Sequence, residues 1–263
     1  MRNFEQLAKK IRKEILRLCY KAESGHIGGP LGAVELYLAI YFLVIDDKVK
    51  FGDRDRVVIS NGHYSALIYS ILYQKGLISL KELNSFRIFK GLQGHPKRDE
   101  SILIETSSGP LGEGLGQALG IAKLNLIEKN PGYVYCMMGD GEQAEGSVWE
   151  SCLLCNKLQI NNLTVIIDRN NKQIEGDTES VLPLESLKEK YMAFGFDVFE
   201  VDGHDILEIS NVLKASKKIN KPVCVICNTV FGKGVSFMEN EHVWHGKALS
   251  EELFNQAIKE LNA

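Results

Sequence analysis

The sequence has no apolar run long enough to cross a membrane. Its longest uninterrupted run, Leu36 to Ile45, has ten residues, whereas a transmembrane helix needs about 20. The stretch from Met1 to Leu18 mixes Lys, Arg and Glu with spaced apolar residues, which indicates an amphipathic helix and not a signal peptide. We therefore expect a cytoplasmic protein that does not bind membranes.

The sequence also lacks an excess of charge of either sign. It has 31 Lys and Arg residues against 34 Asp and Glu residues, for a net charge of −3. Proteins that bind nucleic acid usually carry a basic surface, so this balance argues against that class. Hydrophobic residues make up 44% of the chain and charged residues 25%, as in a globular protein with a substantial core.

Cysteine is too rare for a disulfide scaffold, since only six occur in 263 residues. Four of them form two C-x-x-C pairs, Cys152 with Cys155 and Cys224 with Cys227. Such pairs can bind zinc together. Here 68 residues separate the pairs, and each pair lies in an apolar segment without a knuckle glycine. We therefore predict buried, reduced thiols.

Proline is scarce as well, with six residues against 24 glycines, so many loops need the open backbone geometry of glycine. The sequence contains no linker, low-complexity stretch or internal repeat. A chain of this length fits one large domain or two small ones. The absence of a linker favours a single domain over residues 1–263.

Apolar periodicity predicts alternating helices and strands. The predicted strands are 56–60, 133–138, 163–167, 196–201 and 223–227. The predicted helices are 4–22, 31–45 opened by Pro30, 63–75, a short helix capped by Ser79, one from the turn 107–116 to Glu128, 145–158, 185–194, 205–216 and one that starts at Ser250. This alternation is typical of an α/β fold with a mainly parallel sheet flanked by helices.

Polar residues follow the predicted strands where each strand ends. Ligands bind beyond the carboxyl ends of such strands, so we expect a site at this edge of the sheet. The residues at these ends are His63, Asp140, Asp168, Arg169, Asn170, Asn171, His204, Asn228 and Thr229.

The turn Gly139-Asp140-Gly141 suggests a magnesium site. Two glycines allow an anion to approach the backbone, and Asp140 supplies a hard oxygen ligand. Twenty-eight residues separate Gly141 from Asn170, which returns a β-α-β unit to the adjacent strand end. Asp140 and Asn170 can then face the same ion, with phosphate oxygens of a ligand completing the site. The alternative for the isolated turn is an Asp that only caps a helix.

Six motifs in order resemble the N-terminal half of transketolases, which bind thiamine diphosphate. The resemblance covers nearly the whole chain, whereas the pyrimidine-binding second half of the family is absent. The chain is thus similar to the N-terminal subunit of a split transketolase. The motifs are Ser24–Gly28, Ser60–His63, Gln93–Pro96, Ser108–Gly114, Gly139–Gly146 with Asn170-Asn171, and Val243–Gly246.

The resemblance implies a role for each matching residue. It makes Asp140 and Asn170 ligands of Mg²⁺, together with the backbone carbonyl of Lys172, although Asn171 is an alternative to Asn170. It assigns contacts with thiamine diphosphate to His63, Gly109, Pro110, Leu111, Gly141, Asn170 and His245.

Three histidines, His26, His95 and His245, match residues that face the sugar in the family and are the implied catalytic and substrate-binding residues. Thiamine chemistry runs through a thiazolium carbanion that attacks a ketose carbonyl. Imidazole donors stabilise the charge that develops on the carbonyl oxygen, and a histidine can take the proton of the departing sugar. A lone histidine is more often structural, and we leave His204 and His242 in that class.

The resemblance also implies a partner. The family activates the cofactor with a glutamate of the absent half, so we expect this chain to be inactive alone. It should act on sugar phosphates with a C-terminal subunit of about 300 residues, as a heterotetramer. Glu145 and Glu150 match glutamates at the family's dimer interface, although solvated acids are an equal alternative.

Other interpretations remain open from the sequence alone. The chain could belong to another thiamine enzyme, such as a deoxyxylulose-phosphate synthase or a 2-oxoacid dehydrogenase component. The segment Gln93–Pro96 favours transketolase over the synthase. A non-catalytic module that binds thiamine diphosphate would not need four histidines. A dinucleotide-binding domain is disfavoured because Gly112–Gly116 lacks the G-x-G-x-x-G spacing.

Overall fold

The computed structural model describes residues 3–262. Met1, Arg2 and Ala263, which the expected domain includes, lie outside the described residues. The strands are β1 Arg56–Ile59, β2 Val134–Gly139, β3 Leu163–Arg169, β4 Lys172–Gln173, β5 Gly176–Asp177, β6 Asp197–Asp202 and β7 Val223–Asn228. The helices are α1 Phe4–Lys21, α2 Gly28–Gly32, α3 Val34–Ala39, α4 Ser65–Lys75, α5 Leu80–Leu83, α6 Glu113–Glu128, α7 Gly146–Lys157, α8 Thr178–Val181, α9 Leu187–Ala193, α10 Ile206–Ser216 and α11 Glu251–Glu260.

Five strands form one parallel sheet in the order β1-β2-β3-β7-β6. Strands β2 and β3 lie in its middle and are buried along their whole length, which explains their continuous apolar sequences. Successive side chains of β2 enter different cores, with Tyr135 and Met137 in one and Cys136 and Met138 in the other. The predicted α/β fold with a mainly parallel sheet is confirmed.

The predicted helix 31–45 is wrong in its start and in its continuity. The structure has α2 from Gly28, a break at Ala33, α3, and a π-helical turn over Ile40–Val44. A Cβ atom on Gly28 would overlap the ring of Phe231, so this segment needs glycine for close packing, a constraint that apolar periodicity does not reveal. Pro30 lies inside α2 and does not open the helix.

A short β-hairpin, β4 with β5, follows β3 directly and was not predicted. Each strand has two residues, which is too short for an alternating pattern. The helix α8 that follows was missed for the same reason. These segments matter because the hairpin lies beside the carboxyl ends of the central strands.

All six cysteines lie in the interior with free thiols, and their burial matches the prediction. In residues 3–262, none of the helices combines the length and the apolar character that a membrane crossing requires.

The centre of the sheet should carry much of the stability. Ile166 of β3 is fully buried, so Ile166→Ala should lower the free energy of unfolding by about 2–5 kcal/mol because it leaves a cavity. Urea unfolding measures this loss. Leu207→Ala on α10 is the control, since Leu207 is 64% exposed and its truncation should cost less than about 0.5 kcal/mol. Equal losses in the two variants would contradict this account of the core.

Candidate active site

A cavity of about 250 Å³ opens at the carboxyl ends of β2 and β3. It is therefore at the sheet edge where the sequence predicts a ligand site. The residues that line it are His63, Tyr64, Leu111, Gly139, Asp140, Gly141, Glu142, Ala144, Glu145, Asn170, Lys172, Gln173, Ile174, Glu175 and His245.

Asp140 is buried at the end of β2 and accepts three hydrogen bonds. Its Oδ1 accepts from the backbone N–H of Gly141 at 2.7 Å. Its Oδ2 accepts from the N–H of Asn171 at 2.6 Å and from the Arg169 guanidinium at 3.1 Å. Burial, followed by the nearby Asp168 carboxylate, raises the pKa of Asp140 to about 7, although Arg169 opposes the shift. Arg169 is thus the cationic partner of a buried carboxyl group.

Asn170, and not Asn171, places its side chain in the site. Its Nδ2 donates to Asp168 at 3.0 Å and to the Tyr64 hydroxyl at 3.1 Å, while its Oδ1 accepts from the N–H of Lys172 at 3.0 Å. These bonds fix the amide orientation. Asn171 has a left-handed backbone with a φ of 65° and an exposed side chain, and only its backbone N–H reaches Asp140.

The four histidines of the sequence motifs come together in one cluster. The ring centroid of His26 lies 5.3 Å from that of His63, 5.6 Å from that of His245 and 6.3 Å from that of His95. The backbone N–H of His26 donates to the carbonyl of His245 at 2.8 Å, so two loops far apart in sequence are joined beside the cavity. His63 and His245 line the cavity itself.

The surroundings of the four histidines favour the neutral imidazole over the charged form. Burial, followed by the charge of His245, lowers the pKa of His26 to about 4. Burial also lowers the pKa of His63, His95 and His245. The Nδ1 atoms of His26 and His245 are buried and have no hydrogen-bond partner within residues 3–262. Such atoms are costly unless a ligand pairs with them.

The loop around Gly109, Pro110 and Leu111 reaches the cavity through Leu111 only. Gly109 borders open space, where an added Cβ atom would meet nothing within 4 Å. The structure places Pro110 in the same loop with an exposed side chain. Glu145 and Glu150, the two acids matched to an interface, are both exposed.

Lys172 belongs to the unpredicted hairpin, and its Nζ forms an ion pair with Asp177. Its position beside the cavity is compatible with the predicted use of its backbone carbonyl. Among residues 3–262, no group of three or more His, Cys, Asp or Glu side chains is arranged to hold a metal ion. The predicted magnesium site has one such side chain, Asp140, and two other oxygen donors.

Two charged residues of the site received no role from the sequence. Arg169 follows a predicted strand, but its bonds to Thr178 and Glu179 depend on the unpredicted helix α8. Its bond to Glu185 reaches the start of the predicted helix 185–194. Glu142 lies within the motif Gly139–Gly146 and is buried, with 2% of its surface exposed. Burial raises the pKa of Glu142 to about 7. No periodic pattern marks either residue.

Comparison with known proteins identifies the family to which this fold and site belong. Residues 4–262 match the family described as transketolase, thiamine diphosphate binding domain. The chain belongs to this family. It is therefore a transferase of the transketolase class, as the motifs predicted.

Two curated relatives that are named as subunits are similar along nearly their whole length. The chain is 38% identical over 263 residues to the apulose-4-phosphate transketolase subunit of Phocaeicola vulgatus, and the match covers 98% of this chain and 93% of that protein. It is 34% identical to the 6-deoxy-6-sulfo-D-fructose transketolase subunit SqwG of a Clostridium species, with 98% and 96% covered.

Among solved structures, transketolase from Leishmania mexicana superimposes with a TM-score of 0.89 at 31% identity. Transketolase from Campylobacter jejuni superimposes with a TM-score of 0.85 at 33% identity. The match covers 100% and 98% of this chain but 42% and 43% of those chains. This transketolase-family chain thus spans less than half the length of these single-chain enzymes and nearly the full length of the separate subunits.

The lowered pKa of His26 predicts a pH dependence of stability. Below pH 6.5, His26 binds a proton in the unfolded chain, whereas in the folded chain it does not bind one until about pH 4. Proton binding therefore stabilises the unfolded chain, and the free energy of unfolding of the wild type decreases as the pH falls from 6.5 to 4. His26→Asn removes the group, and its melting temperature should fall less between pH 6.5 and 4. His242→Asn, at an exposed histidine, should follow the wild type. If the melting temperatures of wild type and His26→Asn fall by the same amount between pH 6.5 and 4, this would contradict the burial of a neutral imidazole.

Proposed function

We propose that this chain is the N-terminal subunit of a two-chain transketolase. With thiamine diphosphate and Mg²⁺, it would transfer a two-carbon ketol unit from a ketose phosphate to an aldose phosphate. Residues 1–263 would form a single domain that binds the diphosphate end of the cofactor. The observation that carries this proposal is the cluster of His26, His63, His95 and His245 beside the cavity that Asp140 and Asn170 line.

The residues of the cavity suit the proposed metal. Asp140 offers a carboxylate, Asn170 an amide oxygen and Lys172 a backbone carbonyl, which are the hard oxygen ligands that Mg²⁺ accepts. The buried Asp140 carboxylate accepts a hydrogen bond from the cationic Arg169 and lies near the acidic Asp168. A divalent cation, together with diphosphate oxygens, would balance this charge. Gly141 beside them would let the diphosphate approach the backbone.

The residues also suit the proposed cofactor. Gly109 and Gly139 border open space, so a bulky ligand can approach both backbone segments. The unpaired Nδ1 atoms of His26 and His245 would gain partners. Thiamine diphosphate supplies a carbanion that attacks a carbonyl and then acts as an electron sink.

The histidines would do the proton work in this scheme. Neutral imidazoles can donate a hydrogen bond to a carbonyl oxygen on which negative charge develops. His26, His95 and His245 would serve in this way, and one of them would take the hydroxyl proton of the departing sugar. His63 and His245 line the cavity and would contact the cofactor.

The proposed partner is a C-terminal subunit that carries the pyrimidine-binding half. The relatives named as subunits match this chain nearly end to end, which supports a two-chain enzyme. Exposed apolar side chains on α6 and α7 support a protein interface next to Glu145 and Glu150. These side chains are Leu124, Ile127, Leu153 and Leu154. A heterotetramer with two cofactors would cover them.

The metal assignment predicts a specific loss of cofactor binding. Asp140→Asn removes a charged ligand at nearly constant shape, so Mg²⁺-dependent affinity for thiamine diphosphate should fall at least about 100-fold. This affinity is measured by calorimetric titration of thiamine diphosphate into the complex of the chain with its partner. Asp53→Asn is the control, since Asp53 is an exposed acid. Unchanged affinity in Asp140→Asn would remove the metal assignment.

The partner assignment predicts activity by reconstitution. The purified chain with Mg²⁺ and thiamine diphosphate should show no ketol transfer, because the glutamate that activates the cofactor would come from the partner. Adding the C-terminal subunit should restore transfer between sugar phosphates in a coupled assay. Ketol transfer by the chain alone would contradict the two-chain proposal.

A further inference from the structure

Glu142 is a buried acid beside the cavity that carries no role in the proposed chemistry. Its side chain is almost fully enclosed, with 2% of its surface exposed. Among residues 3–262, no Lys, Arg or His side chain forms an ion pair with it. Burial of a carboxylate without a cationic partner is unfavourable unless hydrogen bonds compensate for the lost hydration. The hydrogen bonds of Glu142 therefore indicate its role.

The Glu142 carboxylate accepts hydrogen bonds from three separate segments. Oε1 accepts from the backbone N–H of Gly112 at 2.7 Å and from the hydroxyl of Ser60. Oε2 accepts from the backbone N–H of Gly139 at 3.2 Å. The hydroxyl oxygen of Ser60 in turn accepts from the N–H of Gly114 at 3.1 Å. We call Glu142, Ser60 and these three backbone N–H groups the carboxylate clamp.

The clamp joins three segments, and two of them, the turn at Gly139 and the loop before α6 with Leu111, contribute residues to the cavity lining. Ser60 follows β1, Gly139 ends β2, and Gly112 and Gly114 lie at the N-terminus of α6. A negative charge at that helix end is favourable, because the first N–H groups of a helix lack partners within the helix. Glu142 supplies this charge from another segment, and α6 has no side-chain cap of its own.

Two of the three glycines of the clamp, Gly112 and Gly114, are required by their backbone conformation or close contacts. Gly112 has a left-handed backbone with a φ of 82°, and a Cβ atom on Gly114 would collide with Ser60. The loop before α6 is therefore held tightly against β1 and the turn after β2. That loop contains Gly109, Pro110 and Leu111, and the turn contains Asp140.

We propose that Glu142 is a positioning residue that holds the 109–111 loop against the Gly139–Gly141 turn and so fixes the two walls between which the cofactor is held. This inference rests on the proposed function for the identity of the ligand, whereas the clamp is a property of the chain itself. Glu142 does not touch the reacting atoms and acts through the backbone of Gly112 and Gly139.

Glu142→Gln is the informative substitution because it changes the shape of the side chain little. One carboxylate oxygen becomes an NH₂ group, which can only donate. Either Gly139 or the Gly112 and Ser60 pair then faces a donor, so one arm of the clamp opens. Glu113→Gln is the matched control, since Glu113 lies at the same helix end with an exposed side chain and its loss removes the same charge.

Hydrogen exchange on the chain without ligand tests the clamp directly. In Glu142→Gln, the amides of residues 108–116 and 139–141 should exchange faster, while the amides of β3 and α1 keep wild-type protection. Glu113→Gln should match the wild type. If Glu142→Gln also loses protection across β3 and α1, then Glu142 has a structural role in the core. If exchange of residues 108–116 is unchanged in this variant, then Glu142 does not hold the loop. Either result would overturn the proposal.

Titration of thiamine diphosphate into the complex of the chain with its partner tests whether the clamp affects cofactor binding. Glu142→Gln should weaken thiamine diphosphate binding at saturating Mg²⁺ by about 10- to 100-fold, and Glu113→Gln should not. Ser60→Ala opens one arm, and the double variant should bind no more weakly than Glu142→Gln, because both act through one clamp. Additive losses, or wild-type affinity in Glu142→Gln, would overturn the positioning role.

A wild-type enzyme that binds no thiamine diphosphate would refute the proposed function instead, and the exchange result would still decide whether Glu142 holds the loop.

Discussion

The site depends on the parallel pairing of β2 and β3. Gly139 pairs with Asp168 in the register of these strands, so the residues that follow each strand emerge side by side. Asp140 and Asn170 therefore line one cavity although they lie 30 positions apart in sequence. A shift of the register by one residue would turn the side chains of a strand to the opposite face. The buried apolar residues on both faces of the two strands oppose such a shift.

Buried carboxyl groups at this edge of the sheet are held by hydrogen bonds and, at Asp140, by the ion pair with Arg169. Asp140 and Glu142 are both buried, and backbone N–H groups donate to both. Asp168 has a similar environment, with bonds from Tyr64 and Thr229. These hydrogen bonds hold the three carboxyl groups in place at the ends of the central strands. His63 and His245 also line the cavity, so its lining offers a ligand both carboxyl groups and imidazoles.

The sequence was sufficient for the features that depend on local pattern. The buried strands β2 and β3, the amphipathic helix α1 and the capping of α5 by Ser79 all follow from side-chain periodicity or hydrogen-bonding chemistry. The choice between Asn170 and Asn171 was not determined in this way. It depends on a left-handed residue after β3, which the structure places at Asn171.

Features that arise from contacts between distant segments could not be predicted. The start of α2 at Gly28 accompanies close packing of this glycine against Phe231, a residue far along the chain. The burial of Glu142 depends on Ser60 and on the loop before α6, which are 82 and 30 positions away. Neither contact leaves a periodic trace in the sequence. The motifs around these residues predicted the family but not how the site is held together.

The most direct test of the account is the position of the divalent ion. Mn²⁺ can replace Mg²⁺ in a site of oxygen ligands, and its anomalous scattering locates it in a crystal of the chain with its C-terminal partner and thiamine diphosphate. The account predicts a peak between the Asp140 carboxylate and the Asn170 amide oxygen, with the Lys172 carbonyl as a third ligand. A peak elsewhere, or bound cofactor with no ion between Asp140 and Asn170, would contradict it.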